Sequence, residues 1–486
     1  MVVFGRQVSE LSDCMPEHAQ HLDEITNLDE ITISFMPWRD ASTFSDITAT
    51  LIRRTLRTPG DLPPRTLDAL LSHCWYPSDL DIYWLHNLLC SRSLARRDAF
   101  WCKYLYLRYD DLGPDRRLID AAFELSLDGV DAEVAERWAL ALLWFTAAAD
   151  RRVKDEATRA LVNLMNAYPA SIEHLINMLT QFDDDDVRER LLLSSYAALL
   201  TTRHSSTGTI ATTLLNQFVE FPLQFDNAII RDLVRCVGEL AQQLNYPTPY
   251  APGSLSARTD REWKLDIPSE SDLKKWQLLP RLAHSCLSDN FFTYSMNCLQ
   301  PWNEIYHKSD CAKWILSHIV NELQYMESGC EMYDEYMWSQ HGGGRGRDKW
   351  ADRIGKKYQW ISLHRLAARL HDTCPRRGDN WKPDPQCAMP ILLEERKMDP
   401  TLAPSQSLNK NHHEIDSWRV GDKSNLLIHQ GIDDAEWVKK IDNLPDPRKL
   451  AGALCDGKAT WRLLLAYLGW DSRTDKSDYD TEYRDI

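Results

Sequence analysis

The sequence of 486 residues lacks any hydrophobic run long enough to cross a bilayer. Its longest apolar stretch, Trp138 to Ala149, is about half of the ~20 residues that a membrane-spanning helix requires. The start of the chain, Met1 to Gln7, has no basic segment followed by an apolar one, so we predict no signal peptide. These absences favour a cytoplasmic protein without a membrane partner.

Closely paired cysteines are also missing. The 12 cysteines are scattered, and none stands in a Cys-x-x-Cys arrangement, so reduced and mostly buried thiols are expected. The Gly-x-Ser-x-Gly motif of hydrolases and the His-Glu-x-x-His motif of metalloproteases do not occur either. The sequence therefore predicts no catalytic residue, no cofactor and no metal site, and we expect a protein that is not an enzyme.

Basic residues are fewer than acidic residues in this sequence. The chain has 56 Lys and Arg residues against 72 Asp and Glu residues, which gives a net charge of −16. Such a chain as a whole repels nucleic acid and anionic membranes. The exception is a basic run from Gly342 to Lys357, which could contact a phosphate group or an acidic protein surface, although an ordinary solvated hinge is favoured. The candidate residues for partner contact are six residues in and after this run: Arg345, Arg347, Lys356, Lys357, Arg365 and Arg369.

What the sequence does contain is a repeated helix start. An aliphatic residue, a base and an acid precede a long helical pattern in three places: Val153-Lys154-Asp155, Val187-Arg188-Glu189 and Ile230-Arg231-Asp232. The apolar spacing after each start is close to the helical period, and another helical pattern precedes each one. The predicted pairs are 134–148 with 152–167, 171–182 with 186–202, and 208–221 with 227–244. This pattern is typical of a HEAT-like solenoid.

Three polar residues before these starts suit the first position of a helix. Asp150, Asp186 and Asn227 each offer a side-chain oxygen to the unpaired amides of a helix beginning. We therefore predict that they cap the second helix of each pair.

The predicted fold class is mainly α, with the HEAT-like solenoid followed by a smaller α+β region. Strands are expected at 424–429 and 461–470. The predicted domains are an N-terminal helical region at 1–112, the repeats at 113–247, an aromatic-rich helical region at 248–341, and a mixed C-terminal region with an acidic tail at 348–486. Both ends lack clean caps or periods, so we expect the chain to be cut from a larger fold.

Two segments imitate ligand-binding loops. Gly452 to Lys458 has the glycine and lysine spacing of a phosphate-binding loop, but Ala459 stands where that loop needs Ser or Thr for magnesium. We favour a simple turn there. The run Asp183 to Asp186 could suggest calcium, but it lacks the alternating ligands of a calcium loop. A solvated loop that also caps the next helix is the favoured interpretation.

Two further clusters have a structural and a functional interpretation. Possible zinc ligands crowd together in one helical segment, namely His284, Cys286, Cys298, His307 and Cys311. Their spacing is not that of a zinc loop, so we favour buried thiols and surface histidines. The aromatic residues from Trp263 to Trp338 could form the floor of a binding groove, although a helical core is favoured.

The most distinctive segment is Ile354 to Asp372, which contains Lys356-Lys-Tyr-Gln-Trp-Ile361 on an amphipathic helix. Together with Asn443 to Asp446 and Trp461 to Trp470, it resembles the sensor-side C-terminal part of large bacterial STAND-type ATP-binding proteins, many of which defend against phage. The ATPase signature of that family does not occur in this sequence.

The resemblance implies a helical ligand-sensing module that binds a protein ligand along the concave face of its repeats, or a partner chain that carries the ATPase. We therefore predict a non-enzymatic interaction module. Two alternatives stay open at this point: a degenerate gene fragment without independent activity, and a metal-dependent hydrolase whose site comes from distant residues.

Overall fold

The fold is seen in a computed structural model that describes residues 33–373, apart from 35, 39–43, 45, 58–63, 126, 202–206, 219–225, 250–262, 277–278, 294, 297–298, 300–305, 328 and 342–351. The described part is mainly helical, and no β-strand occurs in it. The α-helices are, in chain order, α1 (Asp46–Arg57), α2 (Pro64–Leu71), α3 (Ile82–Cys90), α4 (Leu94–Tyr109), α5 (Pro114–Glu124), α6 (Ala132–Phe145), α7 (Arg151–Ala167), α8 (Ala170–Asn177), α9 (Asp185–Thr201), α10 (Thr207–Asn216), α11 (Ala228–Gln243), α12 (Glu270–Trp276), α13 (Pro280–Leu287), α14 (Asn290–Thr293), α15 (Lys308–Ser317), α16 (Cys330–His341) and α17 (Ile354–Thr373). The predicted mainly α class is confirmed for these residues.

Two parts of the sequence prediction lie outside the described residues. They are the strands at 424–429 and 461–470 and the phosphate-loop-like segment at 452–458. Within the described part, no helix combines the length and the apolar character that spanning a membrane requires.

The helices of the three predicted pairs are present close to their predicted positions, as α6 with α7, α8 with α9, and α10 with α11. The second helices pack in sequence, α7 against α9 and α9 against α11, and the first helices do the same, α6 against α8 and α8 against α10. The apolar stripe of each second helix faces inward, and Val153, Val187 and Ile230 from the three starts are completely buried.

The caps of the second helices follow the prediction in two places out of three. The Asp150 side chain accepts the amide of Arg152, and the Asn227 side chain accepts the amides of Ile229 and Ile230. The prediction for Asp186 is wrong. Helix α9 begins at Asp185, and the carboxylate of Asp184 accepts the amide of Asp186 at 3.0 Å. The residue that caps the first turn of α9 is therefore Asp184, two positions before the predicted Asp186.

Helix α17 occupies the middle of the described part. It packs against α4, α9 and α11, and also against α13, α15 and α16. Most of its length is buried, including Tyr358 and Leu363 with no exposed surface. All described helices, including these neighbours, fall in a single compact unit. The four predicted domain boundaries remain predictions.

A buried carboxylate from α16 accepts the first backbone amides of α17. Asp334, on α16, accepts the backbone amides of Ile354 at 2.6 Å and Gly355 at 2.9 Å, and it also accepts the hydroxyl of Tyr325 at 2.7 Å. A β-carbon at Gly355 would lie 2.8 Å from this carboxylate. Glycine is therefore the residue that lets Asp334 approach the helix start.

Candidate functional site

The base and the acid of the first repeated start join neighbouring helices. The ammonium group of Lys154 lies 2.6 Å from the carboxylate of Asp186, and Arg190 donates to Asp155 at 2.9 Å. Both ion pairs connect α7 to the segment that begins α9, and all four residues are buried. The charged residues of this first start therefore join α7 to α9 instead of facing solvent.

Further polar contacts join α17 to α9 and α11. Two are ion pairs, Arg365 with Asp185 at 2.6 Å and Arg231 with Asp372 at 2.8 and 3.0 Å, and the third places the His364 ring 3.4 Å from the carboxylate of Glu189. The pair of Arg231 with Asp372 is bidentate and buried on both sides, which is the strongest geometry for an arginine and a carboxylate. The second and third repeated starts therefore supply direct partners of α17.

The densest group of charges surrounds the first turns of α17, and we call it the anchor cluster: Arg97, Asp98, Asp183, Asp184 and Lys357. The Nζ atom of Lys357 donates to Asp98 at 2.9 Å, to Asp184 at 2.7 Å and to the backbone carbonyl of Ala147 at 3.0 Å. Arg97 donates to Asp183 and, at 3.4 Å, to Asp184. The cluster thus ties α4, the end of α6 and the start of α9 to α17.

The pKa values of the two buried aspartates of the anchor cluster shift in opposite directions. Burial raises the pKa of Asp98 to about 6, although Lys357 opposes this shift. Burial also favours the neutral form of Asp184, but Lys357 and Arg97 outweigh it, so the pKa of Asp184 is lowered. For Lys357 burial acts against the charge, yet Asp184 and Asp98 raise its pKa well above the ordinary value.

The six residues predicted to contact a partner are not equivalent in the structure. Arg345 and Arg347 lie outside the described residues. Lys357 is 5% exposed and has three acceptors, so the structure places it inside the molecule and not on a contact surface. Lys356 is paired with Asp352, one turn earlier, at 3.1 Å.

Arg365 and Arg369 keep about a quarter of their side chains exposed, but both have internal partners. The guanidinium group of Arg369 lies 5.5 Å from the ring centre of Trp263 and 5.2 Å from that of Trp314, which is within the range of a cation–π interaction. Its Nε atom is 3.4 Å from Asp226. These arginines stabilise the packing of α17, and a role in partner contact stays a prediction.

The acidic run before α9 is a capping loop, as predicted, but the prediction that it is solvated is wrong. Asp184, Asp185 and Asp186 are at most 3% exposed. The loop can be buried because Lys357, Arg365 and Lys154 neutralise these three carboxylates in turn. Each of these three carboxylates therefore has a protein cation as its partner.

A buried serine and histidine pair lies nearby, but its geometry does not suit nucleophilic catalysis. The Nδ1 atom of His318 and the hydroxyl of Ser362 are 2.9 Å apart, and Arg365 donates to Nε2 of the same ring at 3.4 Å. Since Nε2 accepts, the ring proton sits on Nδ1 and is donated to Ser362, so the histidine cannot take the serine proton. Burial, with Arg365 and Arg369, lowers the pKa of His318 to about 3.

Most of the possible zinc ligands lie among the described residues. Cys286 accepts a hydrogen bond from Gln359 at 3.2 Å, and Cys311 of α15 is buried. His284 interacts with Ser288 at 2.7 Å, while Cys298 lies outside the described residues. In the part of the chain that the structure describes, no group of three or more His, Cys, Asp or Glu side chains is arranged to hold a metal ion.

The aromatic-rich region is divided between core and surface. Phe291, Tyr325 and Tyr333 are buried, in agreement with a helical core. On α16, however, Met332 is 73% exposed and Tyr336 is 38% exposed. These two residues are one helical turn apart and therefore share a face of α16, and the Tyr336 ring lies edge-on to Tyr106 of α4 at 6.4 Å.

Trp338 of α16 is also 38% exposed, but it follows Tyr336 by two residues and therefore lies on a different side of the helix. Two arginines lie close to its ring. The guanidinium group of Arg281 lies 4.1 Å from the Trp338 ring centre, and that of Arg353 lies 5.8 Å from it. Glu335 holds Arg281 at 2.6 Å. We call Met332, Tyr336, Trp338, Arg281 and Arg353 the α16 surface. Tyr336 and Trp338 are among the aromatic residues at 263–338, and Arg353 lies in the basic run at 342–357; both segments were considered for binding in the sequence analysis, whereas Met332 and Arg281 were not singled out.

A comparison with protein-family models, with curated proteins and with solved structures finds no match for this chain. The arrangement of charges around α17 and the α16 surface are therefore the observations on which a function is argued.

Proposed function

We propose that this chain is a non-enzymatic helical-repeat module that binds a protein ligand, and that its helix pairs form a HEAT-like solenoid. The stacking of α7, α9 and α11 supports the solenoid, because each second helix contacts the next one along the chain. The resemblance of Ile354 to Asp372 to STAND-type antiphage proteins suggests a ligand-sensing role. The partner is then a protein ligand or a chain that carries the ATPase.

The observation that carries the proposal is the α16 surface. Met332, Tyr336 and Trp338 expose large apolar area, and the surface also contains Arg281 and Arg353. Met, Tyr, Trp and Arg are the residues enriched in protein interfaces, and Trp, Tyr and Arg dominate their binding energy. This composition fits a protein partner whose contact face presents carboxylates to the two arginines.

The ligand surface proposed here differs from the concave face expected from the sequence. The side of α9 and α11 at which their first turns begin is filled by α17, which contacts both helices. Lys357 and Arg365 use the carboxylates of the loop before α9, and Arg231 of α11 uses Asp372. A partner therefore meets the outer face of α16 more readily than these internal ion pairs.

The test is affinity capture from phage-infected and uninfected bacterial cells, followed by a binding measurement with each recovered protein after purification. The variant Met332→Ala/Tyr336→Ala/Trp338→Ala should weaken binding of the true partner by at least about tenfold, since each hot-spot side chain contributes more than about 1 kcal/mol.

The matched control removes exposed leucines elsewhere. Leu125 and Leu244 are 56% and 42% exposed, and the variant Leu125→Ala/Leu244→Ala should bind as the unmodified chain does. Equal binding by the α16 variant, or a folded chain that retains no protein, would count against the proposal.

A further inference from the structure

Two fully buried carboxylates of the anchor cluster share one ammonium group. The Nζ atom of Lys357 donates to both Asp98 and Asp184. Arg97 is the second buried cation, but its terminal nitrogens donate to Asp184 and to Asp183, whose side chain is 45% exposed. Among the described residues, Lys357 is therefore the cation that hydrogen-bonds to Asp98.

The two oxygens of Asp98 have different surroundings. Oδ2 accepts from Lys357 at 2.9 Å and from the hydroxyl of Tyr358 at 3.1 Å. Oδ1 has no hydrogen-bond partner among the described residues, although Asp98 has no exposed surface. The Nε atom of Arg97 is 3.8 Å from Oδ1, which is beyond hydrogen-bonding distance.

A buried, charged oxygen without a donor is costly, and a proton on that oxygen removes most of the cost. We propose that Oδ1 of Asp98 holds an exchangeable proton, and that this proton controls how tightly the first turns of α17 are held against α4. Without the proton, Asp98 and Asp184 are two buried charged carboxylates that share one ammonium group; with it, Lys357 balances the charge of Asp184 alone. The cluster thus acts as a pH-sensitive latch on α17.

In the described part of the chain, several ionisable groups act on this carboxylate or on its direct neighbours. They are Arg97 and Cys102 of α4, Asp184 of the loop before α9, Lys357 and Tyr358 of α17, and Cys330 of α16, which acts on Tyr358. The nearby ion pair of Lys154 with Asp186 carries no net charge. Burial and Asp184 oppose the charged form of Asp98, whereas Lys357 and Arg97 favour it.

The direction of the pH effect follows from the two states of Asp98. Its pKa is raised from 3.8 to about 6 in the folded protein, so between these values the folded protein binds the proton more strongly than the unfolded chain does. The stability given by this proton is complete at the acidic end of that range. It is lost as the pH rises through about 6, and the latch is therefore looser at neutral pH.

The experiment compares hydrogen exchange of the α17 amides in the full chain and in Asp98→Asn, at about pH 5 and about pH 7.5, after correction for the intrinsic pH dependence of exchange. Asparagine keeps an acceptor for Lys357 but cannot titrate. Protection of residues 356–362 should rise roughly tenfold more in the unmodified chain than in Asp98→Asn on going to the lower pH. Because the result is a difference between two chains, other titrating groups such as Asp334, whose pKa burial raises to about 6, cancel from it.

Two further variants decide the outcome. Asp131 caps α6 through its side chain, and Asp131→Asn should retain the full pH response because asparagine also caps helices. At about pH 7.5, Asp98→Asn should be at least as well protected as the unmodified chain, whereas Asp184→Asn should lose at least about tenfold, since a buried cation pair then lacks a carboxylate.

Three results would overturn the inference. The first is a pH response in Asp98→Asn equal to that of the unmodified chain. The second is a response of the opposite sign. The third is an Asp98→Asn chain that does not fold at about pH 7.5, because it would mean that Asp98 must be charged in the folded protein.

Discussion

The inner side of α17 and the outer face of α16 reverse the usual distribution of side chains. Around α17, charged residues such as Arg97, Lys357 and Arg231 are at most 5% exposed, while on α16 the large apolar side chain of Met332 is 73% exposed. Charges normally lie outside and apolar side chains inside, so each exception requires a partner. The charges of α17 have theirs within the chain, whereas Tyr336 and Trp338 of α16 keep more than a third of their surface exposed despite their contacts with Tyr106, Arg281 and Arg353.

The two regions show two different roles: buried ion pairs orient a helix within the fold, and exposed apolar side chains are available for a protein interface. Buried ion pairs add little to stability compared with apolar contacts, but removing one partner is strongly destabilising. They therefore fix how α17 lies across α9 and α11. Exposed Met, Tyr and Trp side chains contribute little to the stability of the isolated chain and are suited to an interface.

The largest expected effect comes from Lys357→Ala, which leaves Asp98 and Asp184 without their shared cation. We expect a loss of about 5 kcal/mol, the upper end of the range for breaking a buried ion pair. Native-state hydrogen exchange along α17 measures this loss as a reduced free energy of opening. A change below about 1 kcal/mol would instead place Lys357 in a solvated position, as in a surface ion pair.

The next largest effect is expected at the bidentate pair of Arg231 and Asp372. Each single substitution, Arg231→Met or Asp372→Leu, should cost about 3 kcal/mol because it leaves one buried charge unpaired. The double variant should cost clearly less than the two single effects together, because no buried charge remains. A double-mutant cycle on urea denaturation midpoints provides the comparison, and additive effects would show that the two side chains do not interact.

The smallest effect is expected on the α16 surface, and it completes the comparison. Met332→Ala should change the stability of the isolated chain by no more than about 0.5 kcal/mol, as exposed substitutions usually do. Thermal melting of the purified chain checks this. A substantial loss would mean that Met332 packs within the fold and is not held available for a partner.

The local parts of this structure could be predicted from the sequence. The helix pairs follow from apolar periodicity, and the caps Asp150 and Asn227 follow from single polar residues before those patterns. The cap of α9 was misplaced because four consecutive aspartates, Asp183 to Asp186, do not indicate which one begins the helix. The preference for a polar residue before a helix locates the start of α9, but it does not show which of several adjacent aspartates is the cap.

The environment of α17 could not be predicted in the same way. Lys357 meets partners that are 173 and 259 positions away in sequence, Asp184 and Asp98. The available signals were Lys357, at helical spacing from Ile354 and Ile361 in an amphipathic helix, and an Arg97-Asp98 pair in another helix. A charge among apolar residues of one helix face indicates a buried ion pair, but the identity of its partner depends on how distant helices pack.

The most direct test measures both regions in one experiment. Hydrogen exchange of α17 is compared in the unmodified chain, in Lys357→Ala, and in Met332→Ala/Tyr336→Ala/Trp338→Ala. We predict that Lys357→Ala lowers the opening free energy of α17 by several kcal/mol, about 3–5, while the α16 variant changes it by about 1 kcal/mol or less. Equal losses in the two variants, or a larger loss in the α16 variant, would contradict the division into an internally satisfied helix and an exposed contact surface.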